Sequence, residues 1–351
     1  MFLKRKKIVL FAIGILLIAS AIIHVKLYKP DLLKSLAGAT GEGIKLEAAN
    51  LEKSGNKSIS TDNNDEKGKG ADAVADEKSN GISADAYPDE QINDSASNDE
   101  YLINEDGKTV LERIAVPEGF QRVKLAEGSF GEYLRNLPLK PHGYEVHYYN
   151  GRVKPAKVHE AVIDMDVGKR DLQQCADSII RLRAEYLYAC GLYDKISFNF
   201  TNGFKAEYSK WMKGNRIKVN GSNVSWYRQG EASNTYNSFR SYLDMVFSYA
   251  GTASLAKEMK DVEIDKMQPG DIFIKGGSPG HCVIVLDMAE NEETGEKVFI
   301  LAQGYMPAQE MHIVKNPQNS EGNPWYTTDL GDELDTPEWS FTSGQLKRFA
   351  Y

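Results

Sequence analysis

Residues 31 to about 100 have a composition that cannot build a folded core, so this stretch confines any globular structure to the rest of the chain. Ser, Asn, Asp, Gly and Lys dominate it, aromatic residues are nearly absent, and no apolar periodicity persists. Residues 51–100 contain 13 acidic and 5 basic residues. Such a segment buries too little apolar surface to offset the entropy lost on ordering. The sequence therefore predicts a disordered acidic linker over 31–100 and a folded domain over 101–351.

The first 30 residues have the form of an export signal. Residues 4–7 are Lys-Arg-Lys-Lys, and an apolar run from Ile8 to Ile23 follows them, which is a basic n-region before an h-region. The run is slightly shorter than the roughly 20 residues that span a bilayer comfortably, but flanking lysines can reach the interface. We expect a retained single-pass anchor in the cell membrane, with residues 8–25 in the bilayer and the C-terminal domain extracytoplasmic. Cleavage near 19–21 is the alternative and would give a secreted protein.

Charge and cysteine content narrow the functional classes. Residues 101–351 hold 34 acidic and 29 basic residues, with no basic stripe interleaved with aromatics, which argues against nucleic acid as a partner. The three cysteines, Cys175, Cys190 and Cys282, are too few for a disulfide framework. One bridge, for example between Cys190 and Cys282, would leave Cys175 free. No zinc-ligand spacing occurs, and we expect neither metal nor cofactor.

Apolar periodicity predicts the helices of the folded domain. A capping box at Ser129 opens a short helix that ends near Asn136. A long amphipathic helix starts with Asp171 as N-cap and closes at Gly191. A second spans 235–250, with Tyr236 and the later apolar positions towards the core, and a shorter one lies near 255–259. Segment 205–234 is a candidate lid, with an ordinary surface excursion as the alternative.

Strand patterns complete the fold prediction. Residues 144–153 predict a hairpin about Asn150-Gly151, and 160–167 alternates like a half-buried strand. Further strands are predicted at 271–275, 281–287, 297–303, 310–314 and 346–350. Helices followed by an antiparallel meander predict an α+β fold in which a helix layer packs on an antiparallel sheet.

The candidate site combines a helix start with a strand start. Cys175 lies near the beginning of the long helix, and His281 begins a strand after Pro279-Gly280. A helix N-terminus and an imidazole both lower the pKa of a thiol, and the thiolate is the nucleophile of cysteine hydrolases. The residue types therefore predict a thiol nucleophile with a histidine base.

Gln303 is the predicted third member of this site. In a symmetric register between strands 281–287 and 297–303, His281 lies directly opposite Gln303, whose amide would set the tautomer and orientation of the ring. The same alternation turns Cys282 to the opposite sheet face from His281. Cys190 lies at the far end of the helix, where the dipole disfavours a thiolate. Cys175 alone lies where an anion is stabilised.

Three other interpretations concern Cys175 and two further groups of residues. Cys175 also lies on the apolar stripe of its helix, where a free cysteine can serve as a small core residue. Residues 276–280 match Gly-x-Ser-x-Gly around Ser278, but that motif needs a helix after the serine, and a β-branched strand follows. Asp164 and Asp166 share a strand face and could form a carboxylate pair or a Ca²⁺ site, or simply pair with nearby Lys and Arg side chains.

Several longer motifs carry a family resemblance. They are 171–177, Asp-Leu-Gln-Gln-Cys-Ala-Asp; 181–186, Arg-Leu-Arg-Ala-Glu-Tyr; 247–255, Phe-Ser-Tyr-Ala-Gly-Thr-Ala-Ser-Leu; 269–274, Pro-Gly-Asp-Ile-Phe-Ile; 279–281, Pro-Gly-His; and 302–309, Ala-Gln-Gly-Tyr-Met-Pro-Ala-Gln. Over residues 110 to 351 the chain resembles a bacterial family catalogued as domain of unknown function 4846. More distantly, it resembles the papain-like cell-wall hydrolases of the NlpC and CHAP kinds.

The distant resemblance implies a papain-like fold and a set of roles. Cys175 would be the nucleophile, His281 the base and Gln303 the orienting residue. The chain departs from those families by having Gln174-Cys175-Ala176 around the thiol and a glutamine as third member. The expected function is an extracytoplasmic thiol amidase or peptidase acting on peptidoglycan peptides. The alternative is a non-catalytic envelope module that has the same fold and binds a wall component.

Overall fold

A computed structural model describes residues 102–319 and 323–350. The predicted anchor (1–30) and linker (31–100) lie outside the described residues. Over the two described ranges, no helix combines the length and the apolar character needed to cross a bilayer.

One large antiparallel sheet organises the domain. The strands of the described residues are β1 (Gln121–Arg122), β2 (His159–Val162), β3 (Ser197–Asn199), β4 (Lys205–Glu207), β5 (Asn215–Asn220), β6 (Asn223–Arg228), β7 (Lys260–Asp261), β8 (Ile272–Lys275), β9 (His281–Glu290), β10 (Lys297–Gln303), β11 (His312–Val314), β12 (Tyr326–Thr327), β13 (Leu334–Thr336), β14 (Trp339–Phe341) and β15 (Leu346–Arg348). The sheet runs β2-β11-β10-β9-β8-β15-β7, with β1 paired to β9 and β12 to β10. Its central strands β8, β9 and β10 follow one another in the chain, as the meander pattern predicts.

Helices cover one face of this sheet. They are α1 (Val110–Arg113), α2 (Phe130–Arg135), α3 (Cys175–Ala189), α4 (Tyr208–Met212), α5 (Tyr236–Phe247) and α6 (Thr252–Glu258). The longest, α3, packs on β9 and β10. It ends where Gly191 adopts a φ of +70° and the N–H of Leu192 bonds the carbonyl of Leu187 at 2.8 Å, a Schellman motif that glycine favours. The predicted α+β arrangement of helices on an antiparallel sheet is confirmed.

The two sheet faces belong to two separate apolar clusters. Cys282 and Ile284 of β9 pack with α3 in the larger cluster. Val283 and Val285, the alternate residues of the same strand, pack with Phe273 and Phe341 on the other face. Because both faces are covered, β9 is buried along almost its whole length, and its sequence from Cys282 to Leu286 is an unbroken apolar run rather than an alternating one.

Several local predictions are confirmed and others are wrong. Strands were expected at 271–275, 281–287, 297–303, 310–314 and 346–350, and β8, β9, β10, β11 and β15 lie there. The Ser129 side chain caps α2 through the N–H of Glu132. The strand predicted over 160–167 ends at Val162, because the chain leaves the sheet and Asp164 pairs with Lys140.

The helical region after α3 differs from the prediction in detail. Tyr236 opens α5 and is 46% exposed instead of facing the core. Gly251 is the N-cap of α6 rather than the end of α5. The candidate lid 205–234 folds into β4, α4 and the β5–β6 hairpin, and Tyr208 and Trp211 are buried in the core. This segment is therefore an integral part of the helical layer.

Candidate active site

Cys175 is the first residue of α3, closer to the helix N-terminus than the sequence predicts. The predicted N-cap, Asp171, is wrong, because its carboxylate accepts the N–H of Ala308 at 2.7 Å and the side-chain amide of Gln174 at 3.0 Å. The N-cap is Gln174, whose own N–H is held by Asp177 at 3.1 Å. The carboxylate of Asp171 therefore does not cap the helix. It links the segment before α3 to the loop after β10.

The thiol of Cys175 is acidic because several donors converge on its sulfur. The side chain of Cys282 makes the largest contribution, and burial opposes it. The imidazole of His281 and the N–H of Ala176 add to the lowering, and together they bring the pKa of Cys175 to about 5. A thiol with that pKa is ionised at neutral pH, and the thiolate is the form that reacts as a nucleophile.

His281 and Gln303 meet as predicted, although both lie deep in the protein. His281 is 2% exposed and Gln303 is fully buried. The Nε2 of His281 lies 2.8 Å from the Oε1 of Gln303. Tyr305 and Trp339 surround the imidazole, with ring centroids 4.6 and 5.5 Å away. The aromatic packing and the amide together hold the ring in one orientation.

The predicted strand register is nevertheless wrong. A bulge between Ile300 and Leu301 shifts the pairing of β10 with β9, so that Leu301 pairs with Val285 and Ala302 with Ile284. Gln303 is thus displaced by two residues from the position directly opposite His281. An even displacement keeps both side chains on the same sheet face, and diagonal neighbours remain within reach of long side chains.

A buried polar network fixes the proton positions around the imidazole. The Nε2 of Gln303 lies 2.8 Å from the Oε2 of Glu338, which also forms an ion pair with Lys154 at 2.6 Å. An ionised carboxylate only accepts hydrogen bonds, so the amide nitrogen of Gln303 must face Glu338. Its oxygen therefore faces His281, whose Nε2 must carry the proton. The second ring nitrogen of His281 remains for the sulfur of Cys175.

His312 closes this network from β11. Its Nδ1 bonds the carbonyl of Glu310 at 2.9 Å, and its Nε2 lies 3.3 Å from the amide nitrogen of Gln303. Complete burial lowers the pKa of His312 to about 3, so the ring is neutral at ordinary pH. It donates to the carbonyl and accepts from Gln303, which satisfies the second amide hydrogen.

The other two cysteines lie where neither can act as the nucleophile. Cys282 is fully buried on the sheet face that carries α3, and burial raises its pKa well above the ordinary value. It remains a thiol and can donate to the Cys175 sulfur. Cys190 is exposed at the C-terminal end of α3, with its pKa raised. All three cysteines are free, and the bridge considered between Cys190 and Cys282 is not formed.

A cleft of about 510 Å³ opens beside the sulfur. It is lined by the start of α3, the start of α6, Met306 and the 277–280 loop, and Cys175 itself is 6% exposed. Gly304 lets the end of β10 approach α3 closely, since a Cβ there would overlap the hydroxyl of Ser178 and lie 3.0 Å from the carbonyl oxygen of Gln174. A side chain at this position would force α3 and the end of β10 to shift apart.

The alternative sites receive no comparable support. Ser278 lies in an exposed loop between β8 and β9, without the helix that a serine nucleophile elbow needs. Asp164 and Asp166 bind different cations, Lys140 at 2.7 Å and Arg181 at 2.8 Å, which favours the ion-pair interpretation. Across the part of the chain that the structure describes, no cluster of three or more His, Cys, Asp or Glu side chains is arranged for a metal ion.

Sequence reasoning missed Glu338, Lys154 and the contact between Cys282 and Cys175. Strand alternation separates Cys282 from His281 across the sheet, but it does not show which face carries α3, so it does not place Cys282 beside the sulfur of Cys175. Nothing in the sequence connects Gln303 with Glu338, which is 35 residues away, or Glu338 with Lys154, which is 184 residues away.

Comparison with known proteins places the chain in a family. A family model described as domain of unknown function (4846) matches residues 110–348, which is more than half of the 351 residues. The chain therefore belongs to that family. No curated protein and no solved structure matches it.

Proposed function

We propose that this member of the domain of unknown function 4846 family is an extracytoplasmic thiol amidase or peptidase that acts on cell-wall peptides. One observation carries the proposal. A helix-initial cysteine whose pKa is lowered to about 5 is hydrogen-bonded by a histidine, and the other ring nitrogen of that histidine lies 2.8 Å from a glutamine oxygen. A nucleophile, a base and an orienting residue in this order are the parts of a papain-like site.

The proposed reaction follows from the proton positions. The Cys175 thiolate attacks the carbonyl carbon of an amide, and the electron pair of the carbonyl moves to its oxygen. The N–H of Cys175, the first residue of α3, has no carbonyl partner within the helix, and it is the natural donor to that oxyanion. His281 has taken the proton of Cys175 on the ring nitrogen that faces the sulfur, and it gives this proton to the leaving amine as the C–N bond breaks and a thioester forms. A water molecule, deprotonated by His281, then attacks the thioester and releases the acid and the thiolate.

The proposed substrate class and location rest on the predicted anchor and linker. A retained anchor at 1–30 and a linker at 31–100 would hold the domain outside the membrane, where the abundant amide-linked polymer is peptidoglycan. The distant likeness to NlpC and CHAP hydrolases favours the same substrate. The second candidate, a non-catalytic wall-binding module, is supported by the low exposure of Cys175, 6%, and of His281, 2%.

The test is hydrolysis of soluble peptidoglycan fragments by the purified full-length chain in detergent micelles. We expect mass spectrometry to detect fragments that have gained one water at an amide bond. Cys175→Ala should abolish this activity, and the matched control Cys190→Ala should retain it. If the native chain binds the fragments without cleaving them, or if Cys175→Ala is as active as the native chain, the hydrolase proposal is wrong.

A further inference from the structure

The sulfur of Cys175 has a second thiol in direct contact with it. Cys282 lies next to His281 on β9, and its side chain forms a hydrogen bond with the side chain of Cys175. Both cysteines belong to the apolar cluster in which α3 packs on the sheet. Hydrolysis needs only a donor at this position, and a hydroxyl group would serve as one. The second thiol therefore brings a chemical property that the proposed reaction does not use.

The two thiols differ in protonation and in access to solvent. Cys175 lines the cleft of about 510 Å³, and its pKa of about 5 makes it a thiolate at neutral pH. Cys282 is fully buried, and burial raises its pKa well above the ordinary value. Oxidants attack thiolates, and the susceptibility of a cysteine increases with its exposure. Oxidation should therefore begin at Cys175, while Cys282 remains a thiol beside the oxidised sulfur.

Cys190 is too far away to take the place of Cys282. It lies 15 residues after Cys175, at the other end of α3, which corresponds to about 22 Å at the helical rise per residue. A disulfide needs Cα atoms less than about 7 Å apart. Side chains in hydrogen-bond contact, by contrast, already hold their sulfurs close to one another. Within one molecule, Cys282 is therefore the cysteine placed to react with an oxidised Cys175.

We propose that Cys175 and Cys282 form a redox pair, in which a hydroperoxide oxidises Cys175 and Cys282 then closes a disulfide with it. The disulfide stands on the contact between the two thiols and on the opening of Cys175 to the cleft. Its consequence rests on the proposed function, because the disulfide removes the nucleophile and switches hydrolysis off until an external dithiol reduces it.

The steps consume one hydroperoxide for each disulfide. The Cys175 thiolate attacks the terminal oxygen of the hydroperoxide and the O–O bond breaks. The departing alkoxide takes the proton from the His281 ring nitrogen that faces the sulfur. The products are a sulfenic acid and an alcohol, so the sulfur loses two electrons and the peroxide gains them. The sulfur of Cys282 then attacks the sulfenic sulfur, and the Cys282 proton leaves with the hydroxide as water.

The test treats the purified full-length chain in micelles with hydrogen peroxide and maps its peptides by mass spectrometry without reduction. We expect a disulfide between the Cys175 and Cys282 peptides and loss of iodoacetamide labelling at Cys175. Dithiothreitol should restore the labelling. The control variant Cys190→Ser should give the same disulfide. Labelling of Cys175 that survives the peroxide, a disulfide to Cys190, or a sulfinic acid at Cys175 beside a reduced Cys282 would each overturn the proposal.

Cys282→Ser separates the resolving role of this thiol from its hydrogen bond. A serine hydroxyl can still donate to the Cys175 sulfur, but it cannot form a disulfide. Peroxide should therefore carry Cys175 of this variant on to sulfinic and sulfonic acids, and dithiothreitol should not restore its labelling. If dithiothreitol restores labelling as fully as in the native chain, Cys282 is not the resolving thiol. The native peptide map decides the question even if this variant does not fold.

Peroxide treatment also distinguishes failure of the redox pair from failure of the hydrolase. If the disulfide forms but the reduced chain cleaves no peptidoglycan fragment, the redox pair stands and the proposed activity fails. If the reduced chain does cleave fragments, peroxide should abolish cleavage. Dithiothreitol should restore it in the native chain and not in Cys282→Ser. Cleavage that persists after the disulfide has formed would refute the switch.

Discussion

The sulfur of Cys175 is acidic because Cys282, His281 and the N–H of Ala176 all stabilise its negative charge, and these donors outweigh the cost of burial. Burial alone would have had the opposite effect, as it does for Cys282, whose pKa rises. The two neighbouring thiols therefore take complementary roles. One is the anion and the other is the donor, so neither buried sulfur lacks a partner.

A residue-scale prediction follows for thiol alkylation. The rate at which iodoacetamide modifies Cys175 should follow its thiolate fraction, with half-maximal reactivity near pH 5 and little change above neutral pH. Cys190 is the internal control, because its raised pKa should make its rate climb through alkaline pH. Cys282→Ala and His281→Ala should each move the Cys175 midpoint upwards by about one unit or more. Peptide mass spectrometry measures both sites at once, and identical profiles for the two cysteines would contradict the prediction.

At the scale of elements, the site depends on how closely β10 and α3 approach each other. Residues 303–305 pass the first turn of α3, and Gly304 is the position where no Cβ fits. Asp171 holds the loop after β10 through the N–H of Ala308. The start of the helix and the end of the strand are thus joined by a hydrogen bond and by close packing.

Gly304→Ala should therefore both destabilise the domain and disturb the site. The added Cβ overlaps the Ser178 hydroxyl, and overpacking of this kind costs about 1–3 kcal/mol. If α3 moves away, the pKa of Cys175 should rise as its donors recede. Chemical denaturation and the alkylation profile measure the two effects.

Two variants serve as references for Gly304→Ala. Gly344→Ala, at a glycine with nothing within 4 Å of its Cβ position, should be nearly neutral. Adding Ser178→Ala to Gly304→Ala should recover part of the lost stability. If Gly304→Ala is as stable as Gly344→Ala, close approach of β10 to α3 is not what positions Gln303.

Across the whole molecule, buried polar groups make the fold sensitive to acid. His312 is fully buried and its pKa is lowered to about 3, whereas an unfolded histidine titrates near 6.5. The neutral ring therefore contributes stability that is complete above about pH 6.5. As pH falls towards 3, the unfolded chain binds a proton that the native state excludes, and that contribution is lost.

The acid slope of stability should change when this ring is removed. Between pH 6 and 4 the native chain should lose up to about 1.4 kcal/mol of unfolding free energy per pH unit through His312. His312→Gln should remove that contribution, so its stability depends less steeply on pH. Chemical denaturation across this range measures the slopes, with His142→Gln, at an exposed histidine, as the control. Equal slopes for native and His312→Gln proteins would show that the ring does not resist protonation.

The sequence alone determined the elements that local patterns specify. Strands β8, β9 and β10, the Ser129 cap and the glycine that ends α3 follow from periodicity and capping rules, which act over a few residues. It also predicted one site for Cys175, His281 and Gln303. His281 and Gln303 lie within hydrogen-bond distance although the predicted register is wrong, because a shift of two residues preserves the sheet face on which a side chain lies. The motifs of the chain likewise predicted its membership of the domain of unknown function 4846 family, whose model matches residues 110–348.

Only the tertiary structure decided the contacts between distant segments. The bulge at Ile300, the true start of α3, and the pairing of Lys154 with Glu338 depend on groups that lie far apart in sequence. Local propensity carries no information about such partners. Whether a carboxylate caps a helix or binds a loop depends on which donors the tertiary fold places beside it. The chemistry of Cys175 was decided at this level, because the thiol that most lowers its pKa belongs to a strand about a hundred residues away.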